Sequence, residues 1–476
     1  MDKLPEQKKI SFKGGYRFNK FPIIDTNLPC KTFEPEYVSI PLCTSDGQQL
    51  KPQVRQGHFV RKGDIIAKPS TPDINLPPVF ASITGRIDNT VGAPAGSKTT
   101  DTILIKKDAS TVVPSAQNTL SPIRQECKIK QYLKYLPLLC GLPRIPSPAE
   151  VSHIFISAVN IQPIVVGINA WLHGNDQAAS TALDFLRECC AQSHITISCH
   201  SKEIRSIEKF LSLNNCKDRC TLAVFPEKYP SDNRYFQIGI LTGKPVSSIR
   251  EPIDPGYLFL DMRSLILLGY ALQNSAPPTD ILVPVYCEDP DMRTIVKIPV
   301  GTSLEQLFSF LHIDVRGNRV IEGGLLTGKE IIDPTYILTR STESLTILPE
   351  KITRSFLWFL RPGRNLDSYT RCFASTLIPS EKKPTTGSQG SLRACINCGY
   401  CADVCPVGLY PNVLYNYATH DLLEEAIEKN IDRCVDCGLC TYVCPSKIPV
   451  ASALYNAKQT IYTDCSHLIH NRSHCL

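Results

Sequence analysis

No stretch of this 476-residue sequence approaches 18 consecutive apolar residues, so no segment is expected to span a bilayer. The opening run Met1-Asp2-Lys3-Leu4-Pro5-Glu6-Gln7-Lys8-Lys9 lacks the apolar core of a secretory signal, which points to the cytosol. Charge of one sign is missing too. The 51 Lys and Arg against 45 Asp and Glu leave only +6, too little for a surface that coats nucleic acid. Gly is scarce at 26 while Pro reaches 37, which indicates many stiff turns between short elements. Neither Gly-x-Gly-x-x-Gly nor a P-loop signature occurs, so the two commonest phosphate cradles are excluded. With 42% hydrophobic and 20% charged residues, the chain has the composition of folded domains, and its length suggests about three of them.

Cysteine is what the sequence has. There are 21, an odd number with no export signal, which favours thiol ligands over a disulfide framework. Scattered examples such as Cys189-Cys190 and Cys216-x3-Cys220 read as small apolar residues or plain thiols.

The patterning predicts a multidomain α/β and α+β chain. Behind an N-terminal segment (1–35), residues 36–115 carry short apolar runs punctuated by Gly and look like a barrel-sandwich hybrid of the lipoyl type. The nearby Lys68, followed by Pro69, lacks the setting of a modified lysine. Residues 120–275 alternate strand and helix periods (His153–Val159, Asp176–Cys190, His194–Cys199, Ser201–Leu213, Cys220–Phe225), the order of a parallel nucleotide-type domain. Its first strand leads into Asn160-Ile161-Gln162-Pro163, at the end of the sheet where such domains bind ligands. Residues 276–350 read as a β-grasp-like fold with strands near Ile281–Cys287, Arg293–Ile298, Arg319–Ile321 and Tyr336–Leu338. A helix is opened there by a Thr302/Glu305 capping box. Ile321-Glu322-Gly323-Gly324 marks a tight turn. Residues 351–393 hold an aromatic run, Phe356 to Leu360, and a polar linker from Pro379 to Gly390.

Residues 394–476 carry the chemistry. Cys395-x2-Cys398-x2-Cys401-x3-Cys405-Pro406 is followed by Cys434-x2-Cys437-x2-Cys440-x3-Cys444-Pro445. This is two-cluster ferredoxin spacing, in which the fourth cysteine of each run ligates the other cluster. Cys395, Cys398, Cys401 and Cys444 are therefore expected to hold one [4Fe-4S] cluster, and Cys434, Cys437, Cys440 and Cys405 a second. Zinc sites more often pair two knuckles or recruit His. Between the runs, Asp421 with Glu424 suggests a capped helix with Leu422, Leu423, Ala426 and Ile427 on one face, as in an α-helical ferredoxin domain. The tail Cys465-x-His467-x2-His470-x3-His474-Cys475 has metal-ligand residue types without a recognised spacing.

Both cysteine runs, with Cys405-Pro406-Val407-Gly408-Leu409, Tyr442-Val443-Cys444-Pro445 and the opening Phe12-Lys13-Gly14-Gly15, resemble the C subunit of Rnf electron-transport complexes. The order of modules is similar as well. The resemblance implies an electron-transfer subunit without a transmembrane segment, peripheral on the cytoplasmic side of a membrane ion pump that couples ferredoxin and NAD oxidoreduction. Its implied partners are other subunits of that complex, ferredoxin-like or flavin-bearing, and not nucleic acid. Family members hold FMN and NADH on a Gly-rich loop and an acidic segment. Here those stretches read Cys140-Gly141-Leu142-Pro143-Arg144-Ile145-Pro146-Ser147-Pro148 and Asn160-Ile161-Gln162-Pro163. The middle region looks closer to the A subunit of sodium-pumping NADH:quinone reductases. NADH dehydrogenase activity of the chain itself is therefore not expected, no catalytic residue is assigned, and FMN stays open as a further cofactor. The other readings are an FMN-bearing NADH-oxidising subunit, or a docking scaffold in which the clusters serve structure.

Overall fold

The computed structural model describes residues 6–18, 28, 30–43, 49–69, 78–91, 101–108, 151–162, 166–213, 220–244, 256–288, 291–349 and 392–464. At the centre lies a five-stranded sheet in the order Glu6–Lys9, Cys220–Phe225, His194–His200, His153–Ser157, Tyr257–Asp261, with every pairing parallel. Helices on its faces explain why the inner strands are nearly continuous apolar runs. Ile154, Ile156, Ile195, Ile197, Leu222 and Leu260 are all buried there. Residues 36–108 contribute two small antiparallel sheets around a core of Val38, Ile40, Ile66, Ile87, Ile103 and Ile105. Lys68 lies inside the strand Ile65–Pro69, opposite Lys51, and not at a hairpin tip.

A six-stranded mixed sheet follows, in the order Lys329–Ile331, Asn318–Glu322, Leu345–Pro349, Asp280–Cys287, Met292–Pro299, Cys30–Thr32. Two local expectations are corrected here. The helix Leu304–Leu311 is capped by Ser303, whose hydroxyl accepts from the Gln306 N–H, while the Thr302 hydroxyl donates to the Pro299 carbonyl at 2.6 Å. The cap moves one residue because the Gln306 amide also ties down the chain at Glu36 and Tyr37. Tyr336–Leu338 forms no strand; only a bridge between Ile337 and Ser303 is made, and Lys329–Ile331 takes the edge of the sheet.

The N-terminal segment is not a separate piece. Its Glu6–Lys9 strand closes one edge of the parallel sheet, and its Cys30–Thr32 strand closes one edge of the mixed sheet. Between them the chain passes over the cysteine module, where the Gly15 N–H donates to the Val404 carbonyl at 2.7 Å. Gly14 has φ +65°, and a Cβ there would lie 2.3 Å from the Cys405 carbonyl oxygen, so only glycine allows this approach. Phe18, Val159, Phe225, Tyr229 and Phe236 then form one core with Val404, Val435, Leu439 and Val443 of the module. Among the described residues no helix is long and apolar enough to cross a membrane.

Candidate metal centre

The two cysteine runs fold as near copies 39 residues apart. Asn397 and Asp436 both take positive φ (52° and 54°), a conformation that short polar side chains tolerate. Gly399 and Gly438 follow at φ 79° and 75°, and each starts one turn of helix, Tyr400–Asp403 and Leu439–Tyr442. The sharp turn brings the second and third cysteines of each run round to one side. Behind each run stands a longer helix, Pro411–Thr419 for the first and Val450–Asp464 for the second, and these two helices pack on each other. The single capped helix expected between the runs is instead two short ones. Asp421 has φ 55°, and Leu423–Glu428 starts without a side-chain cap, because the chain turns sharply at His420–Leu422.

One pocket is lined by Cys395, Cys398 and Cys401 together with Cys444 from the other run, and by Tyr415 and Ile448. It faces outward, since Cys395 and Cys398 are exposed while Cys401 and Cys444 are partly covered. The second group is internal. Cys405 lies within electrostatic reach of Cys434, Cys437 and Cys440. Cys440 also feels Cys401, so the two groups adjoin.

Burial raises these inner thiols. Cys434 is pushed up to about 11, with Lys458 pulling it back down and Asp436 pushing it further up. Cys437 and Cys440 are raised by burial and, next, by the charge of neighbouring cysteines. Burial also raises Cys405, against which backbone N–H groups of Leu409, Val407 and Gly408 act; the Leu409 N–H lies 3.3 Å from Cys405 Sγ. Cys437 is buried and the other three are partly covered, and thiols raised in this way become thiolates readily only beside a cationic partner. Soft sulfur ligands at this density fit iron–sulfur chemistry, and N–H groups aimed at sulfur are the hydrogen bonds that tune such a cluster. Among the described residues no group of three or more His, Cys, Asp or Glu is tight enough for a single metal ion.

The loop Tyr229–Asn233 presses on the inner cysteine run. The Tyr229 hydroxyl donates to the Cys437 carbonyl at 2.7 Å, and Asn233 Nδ2 donates to the Val435 carbonyl at 2.9 Å. Beneath it, burial pushes the Asp232 carboxyl up to about 7, although the backbone N–H groups of Asp232, Ile161 and Gln162 favour its charge. Oδ1 of Asp232 and Oε1 of Gln162 are buried without a hydrogen-bond partner. Gln162 also fills the space over Gly324, where a Cβ would meet its Oε1 at 1.6 Å. Sequence reasoning missed Tyr229 and Asp232, because neither belongs to a spaced motif and no local signal marks them. Cys220, read as a plain thiol or apolar residue, is disulfide-bonded. Residues 140–148, the aromatic run 356–360 and the 465–475 tail lie outside the described residues.

Comparison with known proteins adds what geometry does not. Residues 391–448, which include all eight motif cysteines, match the model of the 4Fe-4S dicluster domain. The chain is 23% identical over 443 residues to the C subunit of the ion-translocating oxidoreductase complex of Edwardsiella ictaluri, covering 87% of this chain and 49% of that one. It is 22% identical over 435 residues to the C subunit of the proton-translocating ferredoxin:NAD(+) oxidoreductase complex of Clostridium ljungdahlii, covering 88% and 87%. It is also 33% identical over 116 residues to the A subunit of the Na(+)-translocating NADH-quinone reductase of Alcanivorax borkumensis, covering 24% and 26%. The chain spans about half the length of the Edwardsiella relative. On the dicluster match and these alignments the chain is RnfC-like, a relative of the C subunits of ion-translocating oxidoreductase complexes that shares part of its sequence with the A subunits of Na(+)-translocating NADH-quinone reductases.

Proposed function

We propose that the chain is the electron-relay subunit of an Rnf-type complex, holding two [4Fe-4S] clusters. Cys395, Cys398, Cys401 and Cys444 would hold one, and Cys434, Cys437, Cys440 and Cys405 the other. The observation that carries this reading is the crossing of the runs: Cys444 lines the pocket of the first run, and Cys405 sits among the thiols of the second. Bound in these two sets, the clusters supply one-electron storage and transfer, which protein side chains alone do not. The residues do the rest. Cys401 and Cys440 lie within electrostatic reach of each other where the two sets adjoin, the exposed Cys395 and Cys398 leave one edge open to a redox partner, and Phe18, Tyr229 and Val435 keep water from the other. The relatives are named as subunits of ion-translocating and proton-translocating complexes. That supports a similar place for this chain among the subunits of a membrane complex, and the reading puts it on the cytoplasmic face with other redox subunits as partners.

A second reading keeps flavin chemistry upstream. It draws on the orphaned Asp232 and Gln162 oxygens at the carboxyl end of the His153–Ser157 strand, where parallel sheets bind ligands. Against it, Gln162 occupies the space beside Gly324. An anaerobic titration of the iron- and sulfide-reconstituted chain separates the two. The relay reading expects the visible cluster absorption to bleach with dithionite and not with NADH. FMN-dependent bleaching by NADH would make the flavin reading correct, and a chain that binds no iron would sink both cluster assignments.

A further inference from the structure

One charge in the module has no counterpart in its own sister loop. Lys458, on the helix Val450–Asp464, has a side chain only 1% exposed. Its Nζ donates to the Cys434 carbonyl at 2.9 Å and to Asp436 Oδ2 at 2.5 Å. Lysine is almost never buried so completely unless it is paired, and burying an ion pair is weak evidence for stability. The sister loop shows that the fold does not need the pair. Thirty-nine residues earlier, Asp436 is matched by Asn397, which accepts from Asn412 Nδ2 at 2.7 Å, and Lys458 is matched by the exposed Thr419, which bonds within its own helix. Both loops nevertheless take the same backbone path, with φ 52° at Asn397 and 54° at Asp436.

We propose that Lys458 is a potential-setting residue: its buried ammonium raises the reduction potential of the centre held by Cys405, Cys434, Cys437 and Cys440. This rests on the relay reading above. Reduction adds one electron and so one negative charge to a cluster, and a fixed cation favours that state more when water is excluded. Asp436 opposes the effect, but its side chain is 31% exposed and open to water, whereas Lys458 is 1% exposed and its Nζ sits on the Cys434 carbonyl. The matching position on the helix behind the outward pocket holds the uncharged Thr419, so the inner centre becomes the end of the relay where an electron rests.

The test is an EPR-monitored redox titration of the reconstituted full chain, with centres assigned by comparison with a Cys398→Ser variant. Lys458→Met should make the inner centre at least tenfold harder to reduce, about 59 mV for one electron, and leave the outer one unmoved. Lys458→Arg should keep the wild-type potential. The neutral pair Lys458→Met with Asp436→Asn, which imitates the sister loop, should load iron and show a smaller fall in the same direction. Unchanged potentials in the Met and double variants would overturn the proposal, as would failure of both to load the inner centre, since Lys458 would then serve assembly alone. A wild-type chain that assembles no clusters would instead overturn the relay reading itself.

Discussion

The two cysteine loops share spacing, turn geometry and a one-turn helix, yet one is open and the other is sealed. Ile396, after the first cysteine of the outer loop, is 67% exposed, whereas its counterpart Val435 is 3% exposed. Gly399 has open space where its Cβ would be, whereas at Gly438 a Cβ would stand 2.4 Å from the Leu326 carbonyl oxygen. The difference comes from outside the loops. The inner one is covered by the Tyr229–Asn233 loop, Phe18 of the N-terminal segment and Leu326 in the turn between the strands Asn318–Glu322 and Lys329–Ile331; the outer one meets solvent. Two copies of one ligand loop can therefore serve different ends of an electron path, because exposure and local charge tune a cluster as much as its ligands do.

The comparison breaks most visibly at the cysteines. Cys437→Ser is expected to remove the inner centre and, through a hydroxyl left in a packed core, to loosen the interface. Cys398→Ser should remove only the outer centre and leave the fold intact. Iron content of about half the wild-type value in both variants, with a lowered melting temperature only for Cys437→Ser, is the expected pattern. Equal melting temperatures would show that the inner loop is not sealed.

Next in size is the glycine pair. Both positions have positive φ, so Gly399→Ala and Gly438→Ala share the same backbone strain and differ in the clash with Leu326. Denaturant melts should find Gly438→Ala less stable than Gly399→Ala by roughly 2–3 kcal/mol. A difference near zero would detach the mixed sheet from the cysteine module.

The carboxyl under the inner loop makes that side pH-dependent. Burial raises Asp232 from its ordinary 3.8 to about 7, so the folded chain binds its proton more tightly than the unfolded one. Stability then falls as pH rises from about 4 to 7 and levels off above, as the buried carboxylate charges. Asp232→Asn should therefore gain on the order of 4 kcal/mol at pH 8 and progressively less as pH falls toward 5. Melting curves across that range check it, and a gain independent of pH would contradict it.

The smallest contrast is in side-chain packing. Val435→Ala deletes buried methyl groups and should cost about 1–2 kcal/mol, whereas Ile396→Ala at the exposed counterpart should change stability by less than about 0.5 kcal/mol. Equal costs in urea melts would mean that the outer loop is covered as well.

Much of this was legible because it is local. The alternating periods over residues 153–225 correspond to strands at His153–Ser157, His194–His200 and Cys220–Phe225 with helices between them, since burial of one face repeats along each element. The cysteine spacing pointed to thiolate chemistry for the same reason: three ligands on one tight turn are specified by a handful of adjacent residues. Misreadings occurred where distant partners compete for a residue. Gln306 became part of the helix cap because it also binds the chain at Tyr37, and Asp421 sits at a turn between two helices instead of capping one.

By itself the sequence determined the element types over residues 153–225, the paired cysteine runs and the kinship with complex subunits. Only the tertiary structure decided which run is covered, that the N-terminal segment straps two sheets past the module, and that the ionisable side chains of Asp232 and Lys458 stand behind the inner loop. Those features rest on contacts such as Tyr229 to Cys437, 208 residues apart, and Gly15 to Val404. A local pattern can specify what a turn is able to hold. Whether water reaches it depends on surfaces brought together from the rest of the chain, and burial is set by the whole packed assembly.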